Sequence, residues 1–357
     1  MRIALWMGVV VLSAAHGACA PCDETIQLGN YDRVRYLDVS IASYAGAAYV
    51  MWSVSSLIDG GERGVFITRV GSRTVRLSDS PALVSLGRTD AGLLACRESG
   101  DETRCALLDW RLETLRRERV VDLPGLEEVV ELGGQLHAQV SGRGPFPNYR
   151  LVPIEPDGTP TGEPAFQPCF SFRPIPVASD QAACLDDNST ESGECQAADG
   201  TAATCEVRAL LRSPQGGSRS VVLGEGSAPL GVARGDDILV LWQGCDGTCT
   251  RVIRGDGSLG PTYSVPEPAF GAYATDGGYV VVWPADIDSF EPVGAPQARR
   301  LDHEGAPTGE AEALGPPEGV YGWHGATATD GGFTAVWTFR AGLSNFEGIH
   351  ARRVCED

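Results

Sequence analysis

The chain has 357 residues, 43% of them hydrophobic, with 47 acidic and 28 basic side chains giving a formal charge of −19. That is enough apolar material for a packed interior, while the acidic excess excludes nucleic acid and anionic lipid, which are held by basic footprints. The 45 Gly and 23 Pro mark a chain dense in turns, and all 28 basic residues are arginine, a codon usage that points to a GC-rich, bacterial genome.

Residues 1–20 read as an export signal: Arg2 supplies the charge, Ile3 to Leu12 the apolar core, and small residues follow. The apolar run is too short to span a bilayer, and no later stretch reaches the ~18 apolar residues a spanning helix needs. Ala18-Cys19-Ala20 has the form of an ordinary cleavage site. Gly17-Ala18-Cys19 also resembles a bacterial lipobox, in which Cys19 would become the lipidated first residue, so free secretion and envelope anchoring both stay open.

Residues 21–357 read as one domain of short strands. The first unit takes 35–41, 49–52, 65–70 and 75–77; the second 82–86, 93–96, 106–110 and 119–123. The third is less regular, with 128–132, 135–140, 149–154 and a weak strand at Pro164–Gln167. The fourth takes 175–178, 182–185, 206–211 and 220–223, the fifth 230–233, 238–242, 250–253 and 262–265, and the sixth 270–274, 279–283, 297–301 and 311–314. The seventh has 325–329, 333–337 and 349–354 and then runs out of chain. Asp-Gly turns at 157–158, 256–257, 276–277 and 330–331 punctuate the runs. No amphipathic helix is convincing; residues 107–119, the nearest candidate, fit the repeat better as strands.

A fixed period made only of strands and turns is the signature of a β-propeller with one blade per repeat. The expected fold is therefore all-β, a seven-bladed β-propeller of four-stranded antiparallel blades. Thr25–Leu28 resembles the fourth strands of other units, so the N-terminal strand completes the last blade and removes two open edges.

Eleven cysteines in an exported chain argue for disulfides. Cys96 with Cys105, Cys184 with Cys205 and Cys245 with Cys249 flank predicted hairpins. Cys22 with Cys355 would weld the ring closure, a loop long enough to stabilise by about 4–5 kcal/mol. Cys169 with Cys195 is the leftover pair, and Cys19 is the residue that lipidation or cleavage would consume.

Asp90, Asp180, Asp236, Asp276 and Asp330 recur at the turn between first and second strands. A ring of these acids at the tunnel mouth would suit Ca²⁺, although Asp-Gly is also what a tight hairpin demands. No other cofactor is expected. Trp52, Trp242, Trp283 and Trp337 end the second strands, where inter-blade packing accounts for them. No hydrolase or nucleotide-binding motif is present; His324, on an innermost strand, is the one histidine placed to serve a site.

The unit Asp-Gly-Gly-aromatic-x-x-Val-Trp, followed by Ala-Arg-Arg, stands at 276–283 with 298–300 and at 330–337 with 351–353. It resembles the repeats of exported bacterial β-propeller proteins, mostly uncharacterised, and this likeness implies a fold and a location without carrying catalytic residues across. Three long connections between second and third strands (Asp186–Thr204, Pro284–Pro296 and Thr338–Gly348) emerge on one face of the disc. The leading expectation is a monomeric, non-enzymatic, secreted or envelope-anchored propeller that binds a protein or glycan through that loop face. The alternatives are a polysaccharide hydrolase or lyase using Asp276 and Asp330 at the tunnel mouth, and a structural surface module.

Overall fold

The computed structural model describes residues 22–29, 31, 34–56, 63–100, 102–132, 134–141, 148–164, 169–170, 175–177, 181–187, 205–213, 217–269, 271–283, 294–315, 320–340 and 348–355. The first described strand, β1 (Thr25–Gly29), stands apart from the strands that follow it. Blade 1 is β2 (Val34–Tyr44), β3 (Ala47–Ser56), β4 (Arg63–Arg69) and β5 (Thr74–Ser78). Blade 2 is β6 (Leu83–Thr89), β7 (Gly92–Ser99), β8 (Glu102–Leu108) and β9 (Thr114–Val121). Blade 3 is β10 (Leu126–Leu132), β11 (Gln135–Ser141), β12 (Asn148–Pro153) and β13 (Cys169–Phe170). Blade 4 is β14 (Ile175–Val177), β15 (Gln181–Asp186), β16 (Glu206–Arg212) and β17 (Ser218–Glu225). Blade 5 is β18 (Ser227–Arg234), β19 (Asp237–Gln243), β20 (Thr248–Ile253) and β21 (Leu259–Val265). Blade 6 is β22 (Gly271–Ala274), β23 (Tyr279–Trp283), β24 (Gln297–Leu301) and β25 (Pro307–Ala313). Blade 7 is β26 (Val320–Thr329), β27 (Gly332–Arg340), β28 (Gly348–Cys355) and, as its outermost strand, β1.

All the pairings are antiparallel, and each innermost strand packs on the next, from β2 through β6, β10, β14, β18, β22 and β26 back to β2. The seven-bladed ring expected from the repeats is the fold. Its seam lies where expected as well: Thr25 pairs with Arg352 and Gln27 with His350, and Cys22 is bonded to Cys355 with Cα atoms 5.5 Å apart. The Cys96–Cys105 and Cys245–Cys249 bonds are also present, and Cys184 and Cys205 are both disulfide-bonded. The Cys169–Cys195 pairing, Cys19, the export signal and most of the three long connections lie outside the described residues.

One strand falls later than expected. The fourth strand that blade 3 shows is Cys169–Phe170, where Tyr149 pairs with Cys169 and Asn148 with Phe170; of the strand expected at Pro164–Gln167, all but Pro164 lies outside the described residues. The chain first spends residues 154–161 on a tight hairpin closed by Glu155 N–H to Thr159 O (2.8 Å) and Thr161 N–H to Pro153 O (2.9 Å). Only after that detour does it return to the start of β12.

The repeat motif has a physical reason at each position. Trp52, Trp242, Trp283 and Trp337 are all buried, each in an apolar cluster. The second Gly of Asp-Gly-Gly has positive φ, +149° at Gly278 and +155° at Gly332. A Cβ there would meet the carbonyl oxygen of Leu301 or Val354 at 2.3 or 2.0 Å, so only Gly starts the strand this close to its neighbour. Two residues before the Trp, Val240, Val281 and Ala335 face Arg251, Arg299 and Arg352 on the third strand. Each arginine reaches back toward the preceding blade: Arg251 to Leu223 O (2.9 Å), Arg299 to Glu267 (2.6 Å) and Arg352 to Ala313 O (2.8 Å).

A second set of arginines reaches forward. Arg219 of β17 donates to Asp256 O and Gly257 O in the turn of blade 5 (3.0 and 3.2 Å). On β9, Arg116 (2.6 Å) and Arg119 grip Asp157 in the hairpin of blade 3. Burial would raise the Asp157 carboxyl, but bonds from the Thr159 hydroxyl, Arg119, the Thr159 N–H and Arg116 outweigh it and hold the group well below the usual carboxylate range. A folded-state value below the unfolded one gives stability that is present above pH ~4 and lost on further acidification. Asp157→Asn is therefore expected to cost about 1 kcal/mol at pH 7, the scale of a screened ion pair. Urea midpoints of wild type and variant should differ at neutral pH and converge as the carboxylate protonates; a gap that persisted in acid would show the effect to be packing.

Candidate functional site

Antiparallel blades put the connections between second and third strands at the end where each innermost strand begins; the turns after the innermost strands lie at the other end. Two cavities occupy the tunnel. The one at the first end, about 550 Å³, is lined by the early or middle residues of innermost strands, including Asp38, Ser40, Glu127, Glu128, Tyr273 and His324. The other, about 680 Å³, is lined by later residues such as Ser43, Arg88, Glu131 and Gly235. Glu128 borders both.

The upper cavity is built by alternation on its strands. Asp38 and Ser40 are two apart on β2, so they share a face, and both bind the backbone of the next blade. Val84 N–H donates to Asp38 Oδ2 (2.6 Å) and Leu86 N–H to Ser40 Oγ (2.9 Å). Ser141 donates to Glu127 Oε1 (2.9 Å). Across the ring, Trp323 Nε1–H donates to the Tyr273 hydroxyl (2.8 Å). His324 stands beside it on β26, its Nε2 shielded from solvent and without a hydrogen-bond partner among the described residues.

Burial raises the Asp38 carboxyl above the usual range; the Val84 and Val39 backbone N–H groups oppose this, and the charge of Glu127 adds to it. Burial likewise pushes the Tyr273 phenol up to about 12, against the bond from Trp323, and lowers His324 to about 4. At neutral pH His324 is a neutral imidazole and Tyr273 a protonated phenol. Among the described residues, those lining the cavity include three carboxylates and no arginine.

The acids singled out in the sequence stand elsewhere. Asp90, Asp236, Asp276 and Asp330 are exposed at turns on the opposite face, and Asp180 lies outside the described residues. Among the described residues no group of three or more His, Cys, Asp or Glu side chains is arranged to hold a metal ion. The turns use backbone groups instead: Arg234 donates to Thr275 O and Asp276 O (2.9 and 2.7 Å), and Asp330 N–H to Gly46 O (3.0 Å). His324 is the one foreseen residue that lines the cavity. Asp38, Glu127, Glu128 and Tyr273 were missed, although an Asp and a Ser alternating with Leu37, Val39 and Ile41 on an innermost strand is a legible sign of a tunnel-facing pair.

No family model matches the chain, and no curated protein matches it. Among solved structures it is similar to the β-propeller domain of the trilobed protease from Pyrococcus furiosus, at 9% identity and a TM-score of 0.56 over 90% of this chain and 97% of that one. It is also similar to the acylaminoacyl peptidase of Pyrococcus horikoshii, at 10% identity and a TM-score of 0.56 over 93% of this chain. This chain spans about half the length of that peptidase, 53% of which is covered. At such identities the likeness speaks for architecture and not for activity. By its sheets, its ring of innermost strands and these likenesses, the chain is a seven-bladed β-propeller.

Proposed function

We propose that this chain is a non-enzymatic, exported propeller that binds a protein or glycan partner on the face where the upper cavity and the long connections open. The observation that supports it is the cavity itself: a concave, polar pocket at a tunnel mouth, with aromatic and carboxylate groups converging from several blades. Such pockets are where rigid ring scaffolds take ligands. The chain works here as a monomer without resident metal or cofactor, kept from nucleic acid by its charge and held to a membrane only if Cys19 carries lipid. The hydrolase alternative draws less support, since Asp276 and Asp330 are exposed turn residues on the other face.

Affinity capture from the envelope fraction of the source organism tests this reading. Wild type is expected to retain a partner that the Asp38→Asn/Glu127→Gln double variant loses. Equal retention by both, with both folded, would move binding away from the cavity and overturn the proposal.

A further inference from the structure

Turns between third and fourth strands lie on the lower face of the disc, opposite the upper cavity, and in four blades they follow one pattern. The first N–H donates to the fifth carbonyl and the fourth N–H to the first carbonyl, at residues 109–113, 155–159, 254–258 and 302–306. The third position is acidic in blades 3, 5 and 6. There Asp157 pairs with Arg116 and Arg119, and Glu304 with Arg254 (2.5 Å), in each case on the preceding blade. The fourth position in these blades is Gly158, Gly257 or Gly305, at φ of +86°, +77° and +84°. Blade 2 departs at both. Its third residue is Arg111, and its fourth is Leu112, which takes φ of +64° with its side chain buried in the cluster between blades 1 and 2.

The second residue of that turn is Trp110, 43% exposed. The turn holds it in place: Asp109 Oδ1 accepts from Arg111 N–H and Glu113 N–H (2.8 Å each), and the Tyr49 hydroxyl of blade 1 donates to Trp110 O (2.8 Å). Arg111 lies over the indole with its guanidinium carbon 4.5 Å from the ring centroid, and Arg69 of blade 1 lies at 6.0 Å. Neither guanidinium has a hydrogen-bond or ion-pair partner among the described residues. A guanidinium stacked on an aromatic face keeps its N–H edge free for a planar anion. Blades 3 and 6 meet the arginines of their neighbour with a carboxylate. Blade 2 meets Arg69 with a second cation, so this turn lacks the anion that completes its counterparts.

The turn's backbone narrows what carries that anion. The N–H groups of residues 109, 111, 112 and 113 and the carbonyls of 109, 110 and 113 are all bonded within the turn or to Tyr49, so a peptide finds no ladder here to extend. What remains is a flat apolar plate rimmed by two cations, which matches the C–H face of a sugar ring that bears a carboxylate. We propose that Trp110, Arg69 and Arg111 form a second binding site, for a hexuronate residue of a saccharide. The formal charge of −19 repels a densely anionic polymer, so the residue is a single uronate on a mostly neutral glycan. This site stands apart from the upper cavity and does not rest on the binding proposed there.

Nuclear magnetic resonance on the isotope-labelled chain tests this, with the Trp110 indole N–H signal assigned by its loss in Trp110→Ala. Methyl glucuronide is expected to shift that signal saturably. Methyl glucoside, the same ring without the carboxylate, and acetylglycine, a carboxylate without the ring, should each bind at least about tenfold more weakly. Arg111→Asp restores the acid of the other three turns. It should pair with Arg69, keep the urea midpoint at or above that of wild type, and weaken glucuronide binding at least about tenfold. Arg69→Gln, a neutral change, should weaken it as well, whereas Arg150→Gln, at an exposed position of β12, should change nothing. The proposal is overturned by the absence of a saturable shift with methyl glucuronide, by glucoside binding as tight as that of the glucuronide, or by unchanged binding in both Arg111→Asp and Arg69→Gln. Acetylglycine binding as tightly as methyl glucuronide would overturn the saccharide assignment in favour of a peptide carboxyl terminus.

Discussion

Replacing Cys22 and Cys355 by serine is expected to destabilise the protein far more than replacing Cys96 and Cys105, although each change removes one disulfide. The two bonds close loops of very different length, with sequence separations of 333 and 9. Taken at the full separation of 333 residues, the chain-entropy relation raises the expected 4–5 kcal/mol to roughly 5–6, against roughly 3 for the short loop. The seam has little else to compensate. β1 is five residues long, with a mixture of exposed and half-buried positions, and only Ile26 and Leu28 pack on the neighbouring cluster. Asp23 adds a backbone bond to Arg353 O (2.8 Å) and an ion pair with Arg352 (3.2 Å). The reduced seam should therefore fray before the ring unfolds. Hydrogen exchange in the variant is expected to lose protection first in β1 and along β28, and the urea midpoint to fall further than in the Cys96/Cys105 variant. Equal losses in the two variants would show that closure depends on strand pairing and not on the covalent bond.

Much of this architecture was legible because each blade repeats local signals. The Trp at the end of the second strand, the Gly pair before it and the Arg two positions out of phase are set by contacts within a blade or with one neighbour, so they recur in the sequence. The seam was legible for a related reason: Thr25–Leu28, near the N-terminus, carries the pattern of the outer strand that the seventh repeat, at the opposite end of the chain, lacks. The fourth strand of blade 3 was placed too early because a hairpin at 154–161 lengthens the path back to the start of β12, an insertion that hydrophobicity alone does not register. The cavity was legible least. Asp38 on blade 1 and Glu127 on blade 3 come to line one cavity only when blades 1 to 3 stack side by side, and neither sits in a repeated position. The recurring aspartates drew attention because they repeat, and they repeat because the turn requires them. The residues that line the pocket do not.

Trp52→Ala is expected to cost about 3–5 kcal/mol, the range for removing a large aromatic from a core that relaxes only in part. Trp52 is fully buried, stacked on Phe66 with ring centroids 5.7 Å apart, and donates from Nε1 to the Tyr31 hydroxyl (2.6 Å). Its cluster joins blade 1 to Val336, Ile349 and Ala351 of blade 7 and to the apolar side chains of β1. The indole is thus a core residue of the interface beside the seam. Trp52→Phe keeps most of the ring burial but loses the donor and some volume, and should cost about 1–2 kcal/mol. Trp242 serves blades 4 and 5, away from the seam, and its alanine variant supplies the comparison. If the seam is one cooperative unit, Trp52→Ala combined with loss of the Cys22–Cys355 bond should depart from additivity by at least about 0.5 kcal/mol, whereas Trp242→Ala combined with the same loss should add within that margin. Additivity in both pairs, measured from denaturant midpoints, would mean that the disulfide constrains the unfolded chain without holding blade 7 against blade 1.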